Sequence, residues 1–549
     1  MHFPHICCDM DNAGSAAQAL AQDGRTHPDE EPMPPPQEEN PMTQNSALSR
    51  IKHPDFAAKL MDAHDAAQWI NPGTTLGMSG FTGSGYPKAV PQALAQRIAA
   101  AHAQGDAFQV SVWSGASTGP ELDGALSQVD GIRTRLPYNS DPITRQKINS
   151  GDIDYVDIHL SQVAPMAWEG VLGQLSTAVI ELSGITENGD LIPSSSVGNN
   201  KTWLDMADQV ILEVNSWQSP LLDGMHDIYY GTALPPNRRP IPLIKPDDRI
   251  GQPRFTVDPK KVVAVVATDI PDRNAPFKAP DATAQTIADN ILDFLTWDAK
   301  RAGLPNSLLP LQSGVGNVPN AVMAGLIAAP FENMTAFTEV IQDGMLDMIE
   351  AGTLRMASAT AFSLSPEKAA YFNANAAFFR DKLILRPQDI SNNPELVRRL
   401  GCIAMNGMIE ADIYGNINST HVMGSRMQNG IGGSGDFARN SYLSIFMTPS
   451  TAKNGKISAI VPMAAHVDHI SQDAQVIVTE QGLADLRGLS PKQRARQIID
   501  RCAHPDYRDA LSEYFARAQR DSFGNHAPHL LSQALSWHQR YIETGTMKP

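Results

Sequence analysis

Short apolar runs rich in β-branched residues alternate with amphipathic helical segments along most of this chain, and this alternation constrains its fold more than any other feature. Thr283–Trp297 carries its apolar residues on one helical stripe. Ser490 is placed to cap a helix that runs to Cys502, with Pro491 at the first helical position. The predicted buried strands are Gln109–Trp113, Gln209–Val214, Val262–Thr268, Ile457–Pro462 and Gln475–Thr479. Alternating strands and helices predict an α/β fold with mostly parallel sheets.

A polar, proline-rich stretch from Pro235 to Pro259 predicts a connection between two halves of the chain. We therefore expect two large α/β domains, residues 46–260 and 261–549, with a functional site at their interface. Residues 1–45 are predicted to be a disordered N-terminal extension, because they are acidic and proline-rich and lack a periodic apolar pattern. This extension has no apolar core of a secretion signal and is too acidic for a mitochondrial presequence.

Composition excludes several classes of function. The net charge is −16 over 549 residues, and such an acidic surface repels a phosphate backbone, so we expect no nucleic-acid partner. No uninterrupted apolar run reaches the ~18 residues of a membrane span, so we expect no membrane association. The four cysteines form neither a disulfide framework nor a zinc motif, which favours a reducing compartment and a cytoplasmic location.

Glycine-rich segments that lie next to predicted strands or helices are candidates for ligand binding, because glycine lets backbone N–H groups approach a ligand closely. A single such segment is more often only a tight turn, but three in one chain weaken that interpretation. No Lys-Ser/Thr pair closes any of them as in a phosphate-binding loop, and no apolar strand leads into Gly430-x-Gly432-x-x-Gly435, which argues against a nicotinamide site. The three segments are Ser79–Pro87, Ser313–Asn320 and Asn429–Asn440.

Two glutamates are candidates for chemistry. Glu339 lies inside the apolar run Ala336–Ile341, and Glu480 ends a predicted strand, where α/β proteins place functional groups. Such a glutamate can be merely paired or exposed at a strand end, or a desolvated carboxylate can act as a nucleophile towards an activated acyl group. His466 and His469 have spacing compatible with a metal site, but no further cluster completes it, so we expect no metal. No Gly-x-Ser-x-Gly elbow precedes a predicted helix, which argues against a serine hydrolase.

Four longer motifs add to these features: Thr338–Asp343, Asp412–His421, Gly430–Arg439 and Val478–Gly488. Through them the chain, from about Ser49 to its C-terminus, resembles the acetyl-CoA hydrolase/transferase family, a branch of the class I CoA-transferases, and most closely its members that use succinyl-CoA and acetate. The resemblance implies two Rossmann-like open α/β domains with mostly parallel sheets, coenzyme A bound mainly by the second domain, and a homodimer.

The resemblance also implies roles for individual residues. Glu339 would be the nucleophile, forming first an acyl-glutamyl anhydride and then a glutamyl-CoA thioester. The backbone N–H groups of Val315 and Gly433 would stabilise the oxyanions, Asn392 would orient the carboxylate substrate, and Glu480 would help to order the site. The residues implied in coenzyme A binding are Gly314, Val315, Gly316, Asn317, Val318, Asn429, Gly433 and Lys453. The segment Gly80–Pro87 would close the acyl pocket, and Arg273 would help to hold a dicarboxylate.

Three functions remain open at this point. The first is transfer of CoA between short carboxylic acids, such as succinyl-CoA to acetate. The second is acetyl-CoA hydrolysis, in which water intercepts a covalent intermediate. The third is a non-enzymatic regulator that binds CoA. For the enzymes we expect acyl-CoA as substrate and no permanently bound cofactor.

Overall fold

The structure, a computed structural model, describes residues 46–274 and 279–548. We refer to residues 46–274 as the first half and to residues 279–548 as the second half. The predicted disordered extension, residues 1–45, lies outside the described residues.

Each half is built around one large sheet. The strands of the first half are β1 (Thr75–Met78), β2 (Val110–Trp113), β3 (Ile132–Leu136), β4 (Asp154–Tyr155), β5 (Thr177–Ile185), β6 (Leu191–Pro193), β7 (Gln209–Asn215) and β8 (Val262–Thr268). The strands of the second half are β9 (Leu311–Ser313), β10 (Met334–Phe337), β11 (Val340–Gln342), β12 (Leu354–Ala359), β13 (Ala361–Ser363), β14 (Leu383–Leu385), β15 (Ile403–Gly407), β16 (Glu410–Asp412), β17 (Ile417–Asn418), β18 (His421–Val422), β19 (Arg426–Met427), β20 (Leu443–Met447), β21 (Thr451–Ala452), β22 (Ile457–Ser458), β23 (Ile460–Val461), β24 (Val476–Thr479) and β25 (Gly482–Asp485).

Helices connect most of these strands. Those of the first half are Pro54–Ala57, Ala63–Ala67, Ala89–Ala103, Ala125–Gln128, Pro142–Ser150, Val163–Trp168 and Asn200–Met206, with shorter π or 3₁₀ turns at Pro120–Gly124, Leu160–Gln162 and Pro220–Leu222. Those of the second half are Ala282–Ala302, Asn317–Ala328, Asp343–Glu350, Pro366–Phe379, Gln388–Ser391, Pro394–Leu400, Ser434–Ala438, Pro491–Cys502, Pro505–Asp521 and Ser536–Thr544. None of the helices within the described ranges is long and apolar enough to cross a membrane.

The first sheet has the strand order β4-β3-β2-β1-β5-β7-β8, with β6 paired to β5. Its strand pairs are parallel except β5–β6. The second sheet has the order β14-β12-β10-β9-β15-β20-β24-β25, and only β24–β25 is antiparallel. All nine residues of β5 are buried, as expected for a parallel strand covered on both faces. The α/β class with mostly parallel sheets is therefore confirmed.

The first sheet ends later in the chain than the predicted domain boundary. The structure assigns no helix or strand between Leu222 and Val262, a stretch that it describes in full, so the proline-rich segment is irregular as predicted. However, β8 follows this connection and pairs with β7 in the first sheet. The predicted boundary between residues 260 and 261 therefore cuts off the last strand of the first sheet, and the structure moves the boundary beyond Thr268.

Most predicted elements are present within a few residues, but one strand is not. The apolar run Ile457–Pro462 forms two short strands in different small sheets: β22 pairs with β21, and β23 pairs with β16. The chain turns between them, where the hydroxyl of Ser458 donates to the carbonyl of Ile460 at 2.7 Å. The predicted single buried strand is therefore wrong. The helix after Ser490 is confirmed, with a capping box between Ser490 and Gln493.

An apolar cluster joins the two halves. Phe81, Ala116 and Leu160 of the first half pack with Val340 and Ala361 of the second half, and all five are buried. A bridge between the backbones of residues 196 and 361 runs beside them. This cluster lies next to the cavity described below.

Candidate active site

Glu339 lies between two strands that belong to different sheets. β10 ends at Phe337 in the large second sheet, and β11, which begins at Val340, pairs with β13 in a separate small sheet. Thr338 N donates to Ser358 O at 2.9 Å and the carbonyl of Glu339 accepts from Thr360 N at 3.0 Å, so the backbone is fixed on both sides. The side chain is thereby presented at the carboxyl end of a parallel strand, where ligands of α/β proteins usually bind.

The carboxylate lines a cavity of about 330 Å³ between the two halves, which we call the interdomain cavity. The first half contributes the aromatic and small side chains of Phe81, Thr82, Ala116 and Tyr138. The second half contributes Gln312, Ser313, Gly314, Val315, Glu339, Val340, Asn406, Gly407, Met408, Ile409, Ser419, Asn429, Gly430, Ile431, Gly432, Gly433 and Ser434. All three glycine-rich segments thus reach one cavity.

Two donors face the carboxylate of Glu339. Asn392 Nδ2 lies 3.3 Å from Glu339 Oε2, and the backbone N–H of Gly433 also donates to this carboxylate. Burial raises the pKa of Glu339 to about 7, although both hydrogen bonds act in the opposite direction because they favour the charged form. Near neutral pH the group is therefore partly ionised, and its carboxylate form lies in a weakly solvating environment, which keeps it nucleophilic.

Gly433 must be glycine for a steric reason. A Cβ atom at this position would lie 1.8 Å from Glu339 Oε2 and 2.3 Å from Asn392 Nδ2. Its backbone φ of −90° is open to any residue, so the constraint is the close approach and not the conformation. The third glycine-rich segment thus brings a backbone donor into contact with the candidate nucleophile.

Asn392 is fully buried and follows the short helix Gln388–Ser391. Its Oδ1 accepts from the hydroxyl of Ser391 at 2.8 Å, which leaves its Nδ2 to donate to Glu339. This arrangement fits a residue that orients a carboxyl group.

The second glycine-rich segment lines the cavity with Gly314 and Val315. Gly314 N donates to Met405 O at 2.9 Å, and Gln342 Nε2 donates to Gly314 O at 2.9 Å, so this turn is held from two strands. Gly316 has a φ of +140°, which favours glycine, and the helix Asn317–Ala328 follows it. Gly316, Asn317 and Val318 thus form the helix entry behind the residues that line the cavity.

The remaining predicted site residues divide between the cavity and its surroundings. Asn429 lines the cavity, and its Nδ2 donates to Ser419 O and Gly430 O. Lys453 is exposed in the turn between β21 and β22 and is not among the cavity-lining residues of the described chain. Arg273 is also outside that lining, where it pairs with Glu121 at 2.7 Å.

Glu480 does not line the cavity in the described part of the chain. Its carboxylate accepts from the N–H and the hydroxyl of Ser450 and from Gln481 Nε2. Burial raises the pKa of Glu480, but these hydrogen bonds outweigh it, and the net pKa is lowered. Glu480 is therefore a stable anion that anchors a loop.

Sequence reasoning missed two residues near Glu339. Tyr138 follows β3 and lines the cavity; burial and the nearby Glu339 carboxylate raise the pKa of its hydroxyl well above its usual value. Asp436 is buried two residues after the cavity-lining Ser434. The position of Tyr138 at a strand end and the position of Asp436 inside a glycine-rich motif were the available signals.

The histidine pair is engaged in other contacts. His466 Nε2 lies 3.1 Å from Asp468, and His469 Nε2 contacts the hydroxyls of Ser419 and Ser434. Among the residues that the structure describes, no group of three or more His, Cys, Asp or Glu side chains could hold a metal ion.

With one large, mostly parallel sheet in each half and a buried carboxylate in the cavity between them, the chain has the architecture of an α/β enzyme. Two family models match: residues 44–267 the acetyl-CoA hydrolase/transferase N-terminal domain, and residues 371–515 the C-terminal domain of that family. The chain belongs to the acetyl-CoA hydrolase/transferase family and is an enzyme of the CoA-transferase and acetyl-CoA hydrolase type.

Relatives of both types are similar over most of the chain. Succinyl-CoA:acetate CoA-transferase from Clostridium kluyveri is 49% identical over 91% of this chain and 92% of its own length. Acetyl-CoA hydrolase from Schizosaccharomyces pombe is 42% identical over 91% of this chain and 98% of its own length. The crystal structure of RipA from Yersinia pestis shares the fold, with a TM-score of 0.65, 23% identity and coverage of 84% of this chain and 98% of RipA.

Proposed function

We propose that the protein transfers CoA between short carboxylic acids, with succinyl-CoA and acetate as a substrate pair, and that Glu339 carries the covalent intermediates. The observation that carries this proposal is the position of the Glu339 carboxylate in the interdomain cavity, between the amide of Asn392 and the N–H of Gly433. The name of the Clostridium relative supports the substrate pair.

In the first step a carboxylate oxygen of Glu339 attacks the thioester carbonyl of the acyl-CoA. The carbon–sulfur bond breaks, CoA leaves as the thiolate, and an acyl-glutamyl anhydride remains. In the second step the thiolate attacks the glutamyl carbonyl of this anhydride. The donor acid leaves as a free carboxylate, and Glu339 is joined to CoA as a thioester.

The acceptor acid then runs these steps in reverse. Its carboxylate attacks the glutamyl thioester and expels the CoA thiolate, which gives a new anhydride. The thiolate attacks the acyl carbonyl of that anhydride, which releases the new acyl-CoA and returns Glu339 as a carboxylate. No net proton, electron or water is consumed, so the cycle needs no further reactant.

Each attack on a carbonyl creates an oxyanion. The N–H of Gly433, already at the Glu339 carboxylate, is the donor for oxyanions on the glutamyl carbonyl, and the N–H of Val315 is the donor for those on the acyl carbonyl. A single oxyanion donor contributes about 3–4 kcal/mol to catalysis. Coenzyme A would lie over Gly314–Val318 and Asn429, with Lys453 towards its phosphates, and it is a substrate that is bound only during turnover.

Acetyl-CoA hydrolysis is the second candidate function, because the Schizosaccharomyces relative carries that name. Water that reached the anhydride or the glutamyl thioester would give hydrolysis by the same first steps. A covalent glutamyl-CoA is productive for transfer only if the cavity excludes water, and Phe81, Ala116 and Val340 provide an apolar wall. The rate of acetyl-CoA consumption, measured with and without added succinate, distinguishes transfer from hydrolysis. Equal rates under the two conditions contradict transfer.

The covalent step is tested directly by trapping. The enzyme is incubated with acetyl-CoA, treated with borohydride, digested and examined by mass spectrometry for a modified Glu339. We expect reduction at Glu339 in the native enzyme and none in Glu339→Gln, which keeps the size of the side chain and lacks the nucleophile. A label at another residue, or turnover by Glu339→Gln, contradicts the mechanism.

We also propose a cytoplasmic homodimer. The described cysteines, Cys402 and Cys502, are buried free thiols, which suits a reducing compartment. Sedimentation equilibrium is expected to give twice the mass of one chain, and a monomer mass at micromolar concentration contradicts the dimer. Fractionation of source cells tests the location, and enrichment outside the cytosolic fraction contradicts it.

A further inference from the structure

The third glycine-rich segment, Asn429–Asn440, and the chain just before it are held from the first half by hydrogen bonds at three points. Each point pairs one residue of the first half with one residue of the second half. The pairs are Asn149 with Met427, Asp157 with Ile431, and Ser161 with Asp436. Of these, the pair of Asp157 and Ile431 lies nearest in the chain to Gly433, which faces the Glu339 carboxylate.

The contact between Asp157 and Ile431 fixes the direction of a backbone N–H. The backbone N of Ile431 lies 2.9 Å from Asp157 Oδ1 and 3.0 Å from Asp157 Oδ2, so its N–H donates between the two oxygens. An ionised carboxylate only accepts hydrogen bonds, so Asp157 can hold an N–H in this place but not a carbonyl. On its other side, the carbonyl of Ile431 accepts from the hydroxyl of Ser434 at 2.8 Å. Both polar backbone groups of Ile431 are therefore held.

The backbone before Ile431 lies directly against the first half. A Cβ atom on Gly430 would lie 2.1 Å from the hydroxyl oxygen of Tyr155 and 2.8 Å from Asp157 Oδ1. The Tyr155 hydroxyl in turn donates to Pro137 O at 3.1 Å, which fixes it within the first half. Glycine at position 430 therefore lets the segment come close enough for Asp157 to reach the Ile431 N–H.

Gly433 follows Ile431 by two residues and is held on its own far side. Its carbonyl accepts from Phe437 N at 3.1 Å, in the first turn of the helix that follows. Its backbone lies so close to the Glu339 carboxylate that a Cβ atom would be 1.8 Å from Glu339 Oε2. Between these two anchors stands Gly432, with a φ of +60°, and glycine has the widest conformational freedom of all residues. The anchor at Ile431 therefore limits the path that the backbone can take to Gly433.

Resting on the proposed function, we infer that Asp157 is a positioning residue: from the first half it holds the N–H of Ile431 and thereby keeps the backbone N–H of Gly433 at the Glu339 carboxylate. Without this acceptor the Ile431 N–H turns towards water, and the freedom of Gly432 passes the change on to Gly433. The donor for oxyanions on the glutamyl carbonyl is then displaced in part of the molecules. Glutamyl-CoA forms more slowly, whereas binding of acetyl-CoA changes little, because Asp157 is not among the cavity-lining residues of the described chain.

Variants of Asp157 test this role. The rate of glutamyl-CoA formation at saturating acetyl-CoA is measured by rapid quench and mass spectrometry, and the KM for acetyl-CoA by steady-state kinetics. Asp157→Ala removes the acceptor, so we expect the rate to fall about fivefold or more, the size of one hydrogen bond near solvent, with KM within about twofold of native. Asp157→Asn keeps one acceptor oxygen, and its rate is expected to recover to within about twofold of native.

Asn149→Ala is the matched control. Asn149 is exposed, as Asp157 is, and its side chain accepts from Met427 N and donates to Met427 O, both at 2.8 Å. Its replacement removes two hydrogen bonds between the first half and the same stretch of chain, but further from Gly433. We expect the rate of glutamyl-CoA formation to stay within about twofold of native. Equal losses in Asn149→Ala and Asp157→Ala would reflect only the general contact between the halves, and they overturn the inference.

An unchanged rate in Asp157→Ala, or a rise in KM without a loss of rate, also overturns the inference. Thermal unfolding of each variant is measured alongside. If Asp157→Ala does not fold, Asp157→Leu, which is similar in shape and has no acceptor, replaces it with the same expected results. A native enzyme that forms no glutamyl-CoA contradicts the proposed function and this inference together, whereas normal formation in the native enzyme with an unchanged rate in Asp157→Ala contradicts the inference alone.

Discussion

The carboxylate of Glu480 accepts two hydrogen bonds from Ser450, one from its backbone N–H at 2.8 Å and one from its hydroxyl. Ser450 directly precedes the hairpin of β21 and β22, and the turn of this hairpin carries Lys453. Glu480 therefore fixes the base of the hairpin and does not touch Glu339 itself. Under the proposed function, this relationship distinguishes variants that displace Lys453, the lysine proposed to bind CoA, from variants that change the chemistry at Glu339.

Lys453→Ala is expected to raise the KM for acetyl-CoA about tenfold while kcat changes little, because a charge-assisted contact to a phosphate contributes about 1.5–3 kcal/mol. Steady-state kinetics at low and at high salt measure this, and the effect is expected to shrink at high salt. Lys456→Ala, exposed in the same turn, is the control. An equal rise in KM in both variants would mean that any positive charge in this turn has the same effect, and it would contradict a specific contact of Lys453 with the phosphates.

Glu480→Gln is expected to raise the KM for acetyl-CoA in the same direction as Lys453→Ala, because an amide holds the backbone N–H and hydroxyl of Ser450 less strongly than a carboxylate does. The glutamyl-CoA formation rate at saturating acetyl-CoA is expected to stay within about threefold of native. A large loss of that rate with unchanged KM would instead place Glu480 at the reacting groups.

Gly433→Ala is expected to reduce kcat by about a hundredfold or more, because the added methyl group must displace the Glu339 carboxylate and with it an oxyanion donor. Gly524→Ala, where a Cβ meets no atom within 4 Å, is the matched control and should retain native activity. Activity and thermal unfolding are measured together, so that a loss of fold is recognised. Native kcat in Gly433→Ala would contradict the assigned contact.

The rate of glutamyl-CoA formation is expected to fall below a pH of about 7, because attack requires the ionised Glu339 and burial raises its pKa to about 7. The pKa of Asp436 is also raised to about 7, so the acidic limb of the rate–pH profile reports the two carboxyl groups together. Asn392→Ala removes a donor that favours the charged form, so its limb is expected to move to higher pH. Rapid-quench measurements between pH 5 and 9 test this, and a limb near the ordinary pKa of about 4.3 contradicts it.

Lys88→Met is expected to lower the free energy of unfolding by about 3–5 kcal/mol, because it leaves buried carboxylates without their cation. Lys88 Nζ lies 2.5 Å from Glu181 and 3.0 Å from Asp272, and all three side chains are nearly inaccessible to solvent. Lys147→Met, which removes an exposed ion pair with Asp130, should cost less than about 1 kcal/mol. Urea unfolding measures the free energy of unfolding of both variants. Equal losses in the two variants would contradict a stabilising role for the buried Lys88.

The sequence was sufficient for the class of fold, because the alternation of strands and helices is a local pattern. Apolar flanks around Glu339 and clustered glycines are visible in a single chain, and the structure brings Glu339 and Gly433 into contact. The strand Val262–Thr268 was predicted to the residue, but local composition does not specify which sheet a strand joins. The proline-rich stretch before it therefore suggested a boundary that the pairing of β7 with β8 contradicts.

Asp436 and Tyr138 were missed for a related reason. Nothing next to Asp436 in the chain distinguishes it from a helix-surface acid, and its partner Ser161 is 275 residues away. The significance of Tyr138 likewise depends on Glu339, which belongs to the other half. Contacts between halves are set by packing across the whole molecule, so a strand end and a glycine-rich motif mark these two residues without showing which partners they contact.

The divided wall of the interdomain cavity has a consequence for how such an enzyme can diversify. Glu339 and the groups that face it are on the second half, whereas Phe81, Thr82, Ala116 and Tyr138 line the cavity from the first. Under the proposed function, substitutions at these four positions reshape the space offered to an acid and leave the groups of the second half in place. Preference for one acid over another is therefore open to change independently of catalytic power.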